Sequence, residues 1–354
     1  MSATEIDMGK LEAFMGQAVV DMGAAMSAPL VLLGLKLGLY RAMAGAGPLS
    51  AADVAERAGC DERHVREWLS NQAVGGYVHY DAANETFELP PEQAMALADE
   101  SSPVYLAGAF DLLASVWADE DKLLEAFRTG RGMGWHEHDH RLFHGTEQFF
   151  RPGYRAHLVA EWIPALDGVE AKLHAGANVA DVGCGHGAST IIMAEAYPNS
   201  RFVGFDYHDA SIEQARERAA DAGLSDRVDF QVATAKDFAG EYDLVCNFDC
   251  LHDMGDPVGA ARHTAQVLAP DGCYMIVEPM AGDALTENMN PVGRLFYGAS
   301  SVLCTPASKA QEVGLALGAQ AGQKRLTDVL HEAGFSSVRR AAETPFNMIL
   351  EARL

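Results

Sequence analysis

Between Asn178 and Ser189 the chain reads NVADVGCGHGAS. A mostly apolar run, Val179 to Val182, has the composition of a buried strand. It breaks at once into Gly183, Gly185 and Gly187 before a helical pattern begins at Ser189. Glycine permits the tight turn and lets backbone N–H groups come close to a bound molecule. A second apolar strand, RFVGFD from Arg201 to Asp206, closes on a carboxylate 19 residues beyond Gly187. A strand-end acid at that place can accept hydrogen bonds from ribose hydroxyls.

The spacing alone leaves the ligand open. Read as G-x-G-x-G, the loop is that of S-adenosyl-L-methionine (SAM) sites; read as Gly183, Gly185 and Ala188, it satisfies the dinucleotide fingerprint G-x-G-x-x-A. Both readings require Asp206. A strand-to-helix turn without any ligand is the bland alternative, and the flanking strand and helix patterns weigh against it.

These residues need a sheet to hold them. From Gly176 onward strands and helices alternate: a helix from Ser189 to Ala196, the strand Arg201 to Asp206, and a helix from Ser211 to Ala222 with Gln214 in capping-box position. The strands Val228 to Val232 and Tyr242 to Asn247 follow, then a helix from Pro257 to Leu268 and the strand Cys273 to Glu278. Leu326, Val329, Leu330 and Ala333 mark a last amphipathic helix closed by Gly334, and Val338 to Arg340 pairs with Asn347 to Ala352 at the end. The fold class is α/β, a doubly wound sheet with ligands at the carboxyl ends of its strands.

Ahead of that sheet the pattern differs. Residues 10 to 45 give helices with broad apolar faces, Leu11, Phe14, Met15 and then Leu30, Leu33, Leu37, Leu39 and Tyr40, which a second subunit is expected to cover. From Leu49, Ser50 caps a short helix, Gly59 breaks it, Asp61 caps a second, and Gly75 and Gly76 end that one. The strands Tyr77 to Tyr80 and Thr86 to Leu89 complete a winged helix-turn-helix. Residues 1 to 100 hold 15 Asp or Glu against 6 Lys or Arg, so a dimerisation scaffold is favoured over a DNA reader. Residues 101 to 175 read as helical, interrupted by RTGRGMGWHEHDHRLFHG with His136, His138, His140 and His144. Those histidines raise a metal site or a pocket wall, but no second ligand cluster is placed by spacing, so no metal is expected. The domains are therefore 1–100, 101–175 and 176–354, the last with a lid-like insert at 281–324 rich in Met, Phe, Tyr and Leu.

Composition excludes some partners. With 26 basic against 50 acidic residues the formal charge is −24, which repels phosphate backbones and anionic membranes. Six cysteines without a C-x-x-C pair fit reduced, cytoplasmic usage. The start MSATEIDMGK lacks a signal-peptide pattern, and the apolar stretch Pro29 to Tyr40 is too short to span a bilayer.

Taken together, the chain resembles class I SAM-dependent methyltransferases, and more narrowly the small-molecule O-methyltransferase type with an N-terminal winged-helix dimerisation domain. VADVGCGHG is similar to the first motif of that family, GFD to its ribose-binding acid, FQVATAKDF to its adenine-side motif, YDLVCNFDCLHDMGDP to its fourth, and VLHEAGFSSV to its helix-and-strand ending. The resemblance implies a Rossmann-like sheet of seven strands with the last antiparallel, a homodimer, and SAM lying across Gly183 to Gly187. It assigns the methionyl end to Asp181 and the glycine loop, the ribose to Asp206 with Tyr207 beside it, and the adenine to Thr234 and Ala235, with Phe248 also at the cofactor. Thr234 stands where the family usually carries an acid. His252 is implied as general base toward a phenolic or heteroaromatic hydroxyl of a small molecule, with Glu278 or Asp253 orienting its ring; an ordinary imidazole pKa of about 6.5 suits that work. N- or C-methylation by proximity, a SAM-sensing regulator that uses the winged helix, and a nicotinamide-dependent oxidoreductase are the alternatives.

Overall fold

The computed structural model describes residues 6–354, and the chain divides into two compact units. One runs up to Ala114 and includes His144–Pro152; the other comprises Ser115–Phe143 and Gly153–Leu354. Residues 101–175 are thus shared between the units.

The first unit opens with α1 (Met8–Lys36), a single helix of 29 residues where shorter ones were expected. Asp7 caps it by accepting from the Gly9 and Lys10 N–H groups. Its last turns enter a core with α2 (Leu39–Met43), α3 (Ala51–Ala58) and α4 (Glu62–Val74), built on Val31, Tyr40, Val54, Trp68 and Leu69. The approach is close: a Cβ at Gly34 would sit 2.4 Å from the Trp68 ring, and the Trp68 indole donates to the Leu30 carbonyl. Further back α1 is bare, with Phe14 66%, Val19 58% and Met26 72% exposed. By length and composition this helix could cross a membrane, in contrast to the shorter stretch read from the sequence. Ser50 and Asp53 form a capping box on α3, Gly59 ends it at φ 65°, and Asp61 caps α4, as the residue types predict. The wing is β1 (His79–Asp81) paired antiparallel with β2 (Thr86–Glu88), each strand one residue shorter than expected and the first displaced toward the turn.

The second unit is the sheet: β3 (Asn178–Val182), β4 (Arg201–Asp206), β5 (Val228–Val232), β6 (Tyr242–Phe248), β7 (Leu268–Pro279), β8 (Ser337–Glu343) and β9 (Asn347–Arg353), in the order β5-β4-β3-β6-β7-β9-β8. The first five run parallel, and β9 is antiparallel to both of its neighbours. The order reverses between β3 and β6, so the carboxyl ends of those two strands flank a crevice. Strands buried on both faces read as apolar runs, as Leu244, Val245 and Cys246 do at the middle of β6. One expected detail fails: the helix after β4 begins at Asp209, and Gln214 bonds Glu217 instead of closing a capping box on Ser211. The physical reason lies upstream, where Asp206 accepts from the His208 N–H and starts the turn early.

Candidate active site

Gly183, Gly185 and Gly187 have φ of 79°, 52° and 77°, left-handed values that strain any residue with a side chain. A Cβ on Gly183 would meet Cys250 Sγ at 2.7 Å and one on Gly187 the Phe230 ring at 2.5 Å, so both glycines pack the turn against its neighbours. Gly185 differs. A Cβ there would meet nothing within 4 Å, so its backbone borders open space, and its N–H donates to Asp206 Oδ2 at 3.0 Å.

Asp181 lies beneath this loop, 1% exposed. Its Oδ2 accepts from the Ser189 and Thr190 hydroxyls, both at 2.6 Å, whereas among the described residues Oδ1 has no hydrogen-bond partner. Burial pushes its pKa up to about 6, against the pull of the two hydroxyls. Asp206 is likewise raised by burial, with the His208 and Gly185 N–H groups working against the shift. Tyr207 is 45% exposed, its ring 6.5 Å from that of His136. Thr234 is exposed at the turn after β5 and its Oγ1 accepts from the Lys236 N–H, while Ala235 packs against the core. Phe248 is buried, its ring 5.3 Å from that of Tyr154.

Beyond β6 a short 3-10 turn, Leu251–Asp253, carries the second group of residues. His252 is 4% exposed and Glu278, near the end of β7, is 1% exposed. His252 Nδ1 lies 2.6 Å from Glu278 Oε2, and Glu278 Oε1 accepts from the Leu251 and His252 N–H groups at 3.0 and 3.3 Å. A carboxylate only accepts, so Nδ1 carries the proton and Nε2 is left as the basic nitrogen. Asp253 turns elsewhere: its Oδ2 accepts from the Trp135 indole at 2.7 Å, and burial raises its pKa to about 6. Of the two carboxylates considered for His252, the geometry therefore puts Glu278 on the ring. Burial alone would lower the His252 pKa, but the Glu278 charge and Cys304 outweigh it and hold the imidazole well above its ordinary value. The ordinary pKa expected from the sequence does not apply.

Several residues of this neighbourhood were given no role by the sequence reading, although they lie in stretches it singled out. Asp249 follows β6 at φ 50°, a backbone conformation costing on the order of 1 to 3 kcal/mol for a residue with a side chain. Its carboxylate accepts from Tyr154 Oη and Asn347 Nδ2, both at 2.8 Å, and burial followed by the Glu278 charge raises it to about 7. An acid directly after an apolar strand was the signal that found Asp206, and the same signal marks Asp249. Trp135 comes from the histidine-bearing loop, where Phe143 stacks on His208 at 4.5 Å and lies 6.4 Å from His186 of the glycine loop. The histidines themselves disperse. His138 is buried against Asp119 Oδ2 at 2.9 Å, and His136, His140 and His144 are exposed. Among the described residues no three His, Cys, Asp or Glu side chains converge at metal-binding geometry. The insert laces itself to the His252 turn: Cys304 Sγ lies 3.2 Å from His252 Nε2, Gly318 N–H donates to the His252 carbonyl, Ser308 Oγ to that of Met254, and Gln311 Nε2 to that of Asp253.

Comparison with known proteins speaks to the same crevice. The model of a methyltransferase domain matches residues 173–334, and that of an Rv2258c-like winged HTH domain matches residues 25–99. The methyltransferase-like span takes up a little under half of the chain. Over 131 residues it is 33% identical to a 27-O-demethylrifamycin SV methyltransferase of Amycolatopsis mediterranei, covering 34% of this chain and 48% of that one. Over 138 residues it is 30% identical to a ubiquinone biosynthesis O-methyltransferase of Aromatoleum aromaticum, covering 38% and 55%. The chain thus spans about half the length of these curated relatives. Among solved structures, the mitomycin 7-O-methyltransferase superposes with a TM-score of 0.67 at 19% identity, over 98% of this chain and 100% of that one. Human N-acetylserotonin methyltransferase in complex with SAM gives 0.66 at 17%, over 100% and 99%. These likenesses show that the chain shares the fold of these structures.

Human N-acetylserotonin methyltransferase holds SAM in that structure, and the residues of this crevice would fit the same group. SAM is a cation at its sulfonium and its amine. The crevice offers Asp181 with an unpartnered buried oxygen, Asp206 at the strand end where a ribose belongs, and open space over Gly185.

Proposed function

We propose that the protein transfers a methyl group from SAM to a hydroxyl of a small molecule, phenolic or heteroaromatic, with His252 as general base and Glu278 as the carboxylate that orients it. The observation carrying this reading is the 2.6 Å contact between His252 Nδ1 and Glu278 Oε2 at the carboxyl edge of β6 and β7. Bound SAM supplies the electrophilic methyl. The chain's own work is to hold and align the partners, exclude water and take one proton. Asp206 holds the ribose and Asp181 with the glycine loop the methionyl end; Tyr207, Thr234, Ala235 and Phe248 surround the base and sugar. His252 Nε2 takes the hydroxyl proton, and Glu278 stabilises the imidazolium that results. The insert 281–324, tied to the His252 turn through Gly318, Ser308 and Gln311, forms the wall of the acceptor site.

We further propose a homodimer built on α1, whose bare apolar side chains need a cover, and a cytoplasmic protein that binds neither nucleic acid nor membrane. The second helix of the winged motif supports the exclusion of nucleic acid. On α4 Arg63 pairs with Glu67 and Arg66 with Glu62, so its arginines are already neutralised. Incubating the protein with methyl-labelled SAM and a panel of phenols, hydroxyquinolines, anilines and activated carbon acids, with mass-spectrometric detection, tests the reaction. Label on a hydroxyl oxygen supports it. Label on nitrogen or carbon alone would shift the reading to transfer by proximity, and SAM binding with duplex DNA retention at low salt but no transfer would favour the regulator.

A further inference from the structure

The contact between Cys304 and His252 has a chemistry of its own. Cys304 Sγ lies 3.2 Å from His252 Nε2, the ring's other nitrogen lies 2.6 Å from Glu278 Oε2, and all three side chains are more than nine-tenths buried. The residues come from three elements far apart in sequence. Glu278 is on β7, His252 in the 3-10 turn after β6, and Cys304 at the end of a π-helical turn, Ser300–Cys304, between the helices Pro291–Ala299 and Thr305–Lys309. Single π turns are uncommon and concentrate at functional sites. Nucleophile, base and orienting carboxylate in hydrogen-bonding sequence is the constellation that activates a thiol.

The other cysteines are placed differently. Cys250 Sγ bonds the Val182 carbonyl and Cys273 Sγ approaches Glu351, while Cys184 and Cys246 are buried and pushed up by desolvation. Cys60 bonds the Ala58 carbonyl and is partly exposed. Among the described cysteines only Cys304 has an imidazole nitrogen within hydrogen-bonding distance.

We propose that Cys304, with His252 and Glu278, is a nucleophilic thiol and a site of covalent modification by small uncharged carbon electrophiles. In the modification an Sγ–C bond forms, the leaving group departs with its electron pair, and the thiol proton passes to His252 Nε2, where Glu278 balances the charge. The titratable groups facing the ring are Glu278 from β7, Asp249 at the end of β6, Asp253 of the same turn and Cys304 itself. The alkylation stands on this geometry alone. Its consequence, loss of methyl transfer because the product covers Nε2, rests on His252 being the base.

Iodoacetamide on the intact, cofactor-free protein is the probe, with peptide mass spectrometry reading each cysteine between pH 6 and 8. At pH 6.5 Cys304 is expected to react about tenfold or more faster than Cys60. His252→Gln should remove the advantage of Cys304 and leave Cys60 unchanged. A Cys304 that is labelled only after unfolding, or no faster than Cys60, overturns the proposal whether or not the His252 variant folds. A separate titration with SAM and a methyl-transfer assay on the unlabelled protein distinguishes failure of this inference from failure of the proposed reaction.

Discussion

Two regions of this protein invert the usual distribution of side chains, in opposite senses. On α1, Phe14, Val19, Val20 and Met26 are exposed; at the carboxyl edge of the sheet, Asp181, Asp253 and Glu278 are buried and Asp206 nearly so. Each inversion costs free energy in the isolated chain, since apolar surface in water and charge out of water are both unfavourable. The difference teaches what each region is built to meet. An apolar face is satisfied by another apolar face, which carries no charge and little chemical identity. A nest of buried carboxylates is satisfied by a cation of matching shape, which is a far more selective demand.

The sharpest break in that comparison comes at the base. His252→Ala should keep SAM affinity in calorimetry yet lower turnover by about a hundredfold or more. Because Glu278 holds the His252 pKa above its ordinary value, the wild-type rate should keep rising with pH above neutrality, where the ring loses its proton, and this rise should vanish in the variant. Near-normal turnover of His252→Ala across that range would show that the acceptor ionises unaided.

Asp206→Ala should act on binding instead. Each charge-assisted bond from the ribose is worth about 1.5 to 3 kcal/mol, so SAM affinity should fall roughly ten- to a hundredfold while the circular dichroism stays native. Unchanged affinity would remove Asp206 from the cofactor site.

On the apolar side, light scattering of the intact chain should give twice the monomer mass, because an obligate interface on the order of 2,000 Å² is needed to cover α1. Val19→Asp, at an exposed position on α1, should halve that mass without touching SAM affinity. A monodisperse wild-type monomer, or wild-type protein that partitions onto lipid vesicles, would refute a second copy as the cover.

The smallest effect is on stability. The Asp249 carboxyl is raised to about 7 in the folded chain, against about 3.9 for an unfolded aspartate, so between those values the folded state holds the extra proton. Stability of the cofactor-free protein should therefore fall as pH rises from about 4 to 7, and Asp249→Asn should flatten the decline in thermal melts by a few degrees. A decline as steep in the variant as in wild type would remove Asp249 from the account.

What the sequence revealed follows from where the information is local. The strand-glycine-helix run at 179–189 is legible because one segment writes both the turn and its ligand surface, and β3 and its helix appear where the pattern puts them. Ser50 and Asp61 likewise declare their caps within three residues. The contacts that complete the site are not local. Trp135 reaches Asp253 across 118 positions and Cys304 reaches His252 across 52, and no spacing rule joins such pairs. The length of α1 was hidden for another reason: Pro29 and the glycines at 16 and 23 punctuate the sequence as breaks, yet the helix runs through them.

The hydrogen bond from Trp135 to Asp253 gives the site an optical readout. An indole whose N–H meets a carboxyl group emits differently as that group gains or loses its charge. Asp253 makes the change near pH 6, in a pocket where Phe143 and His138 also flank the ring. The chain has four tryptophans, and the indole of Trp68 is committed to a backbone carbonyl of the first unit. With Trp68, Trp117 and Trp162 replaced by phenylalanine, Trp135 becomes a single fluorophore seated on the residue next to His252. Anything that enters the crevice and alters the charge or position of Asp253 is then written directly into the colour of the light the protein emits.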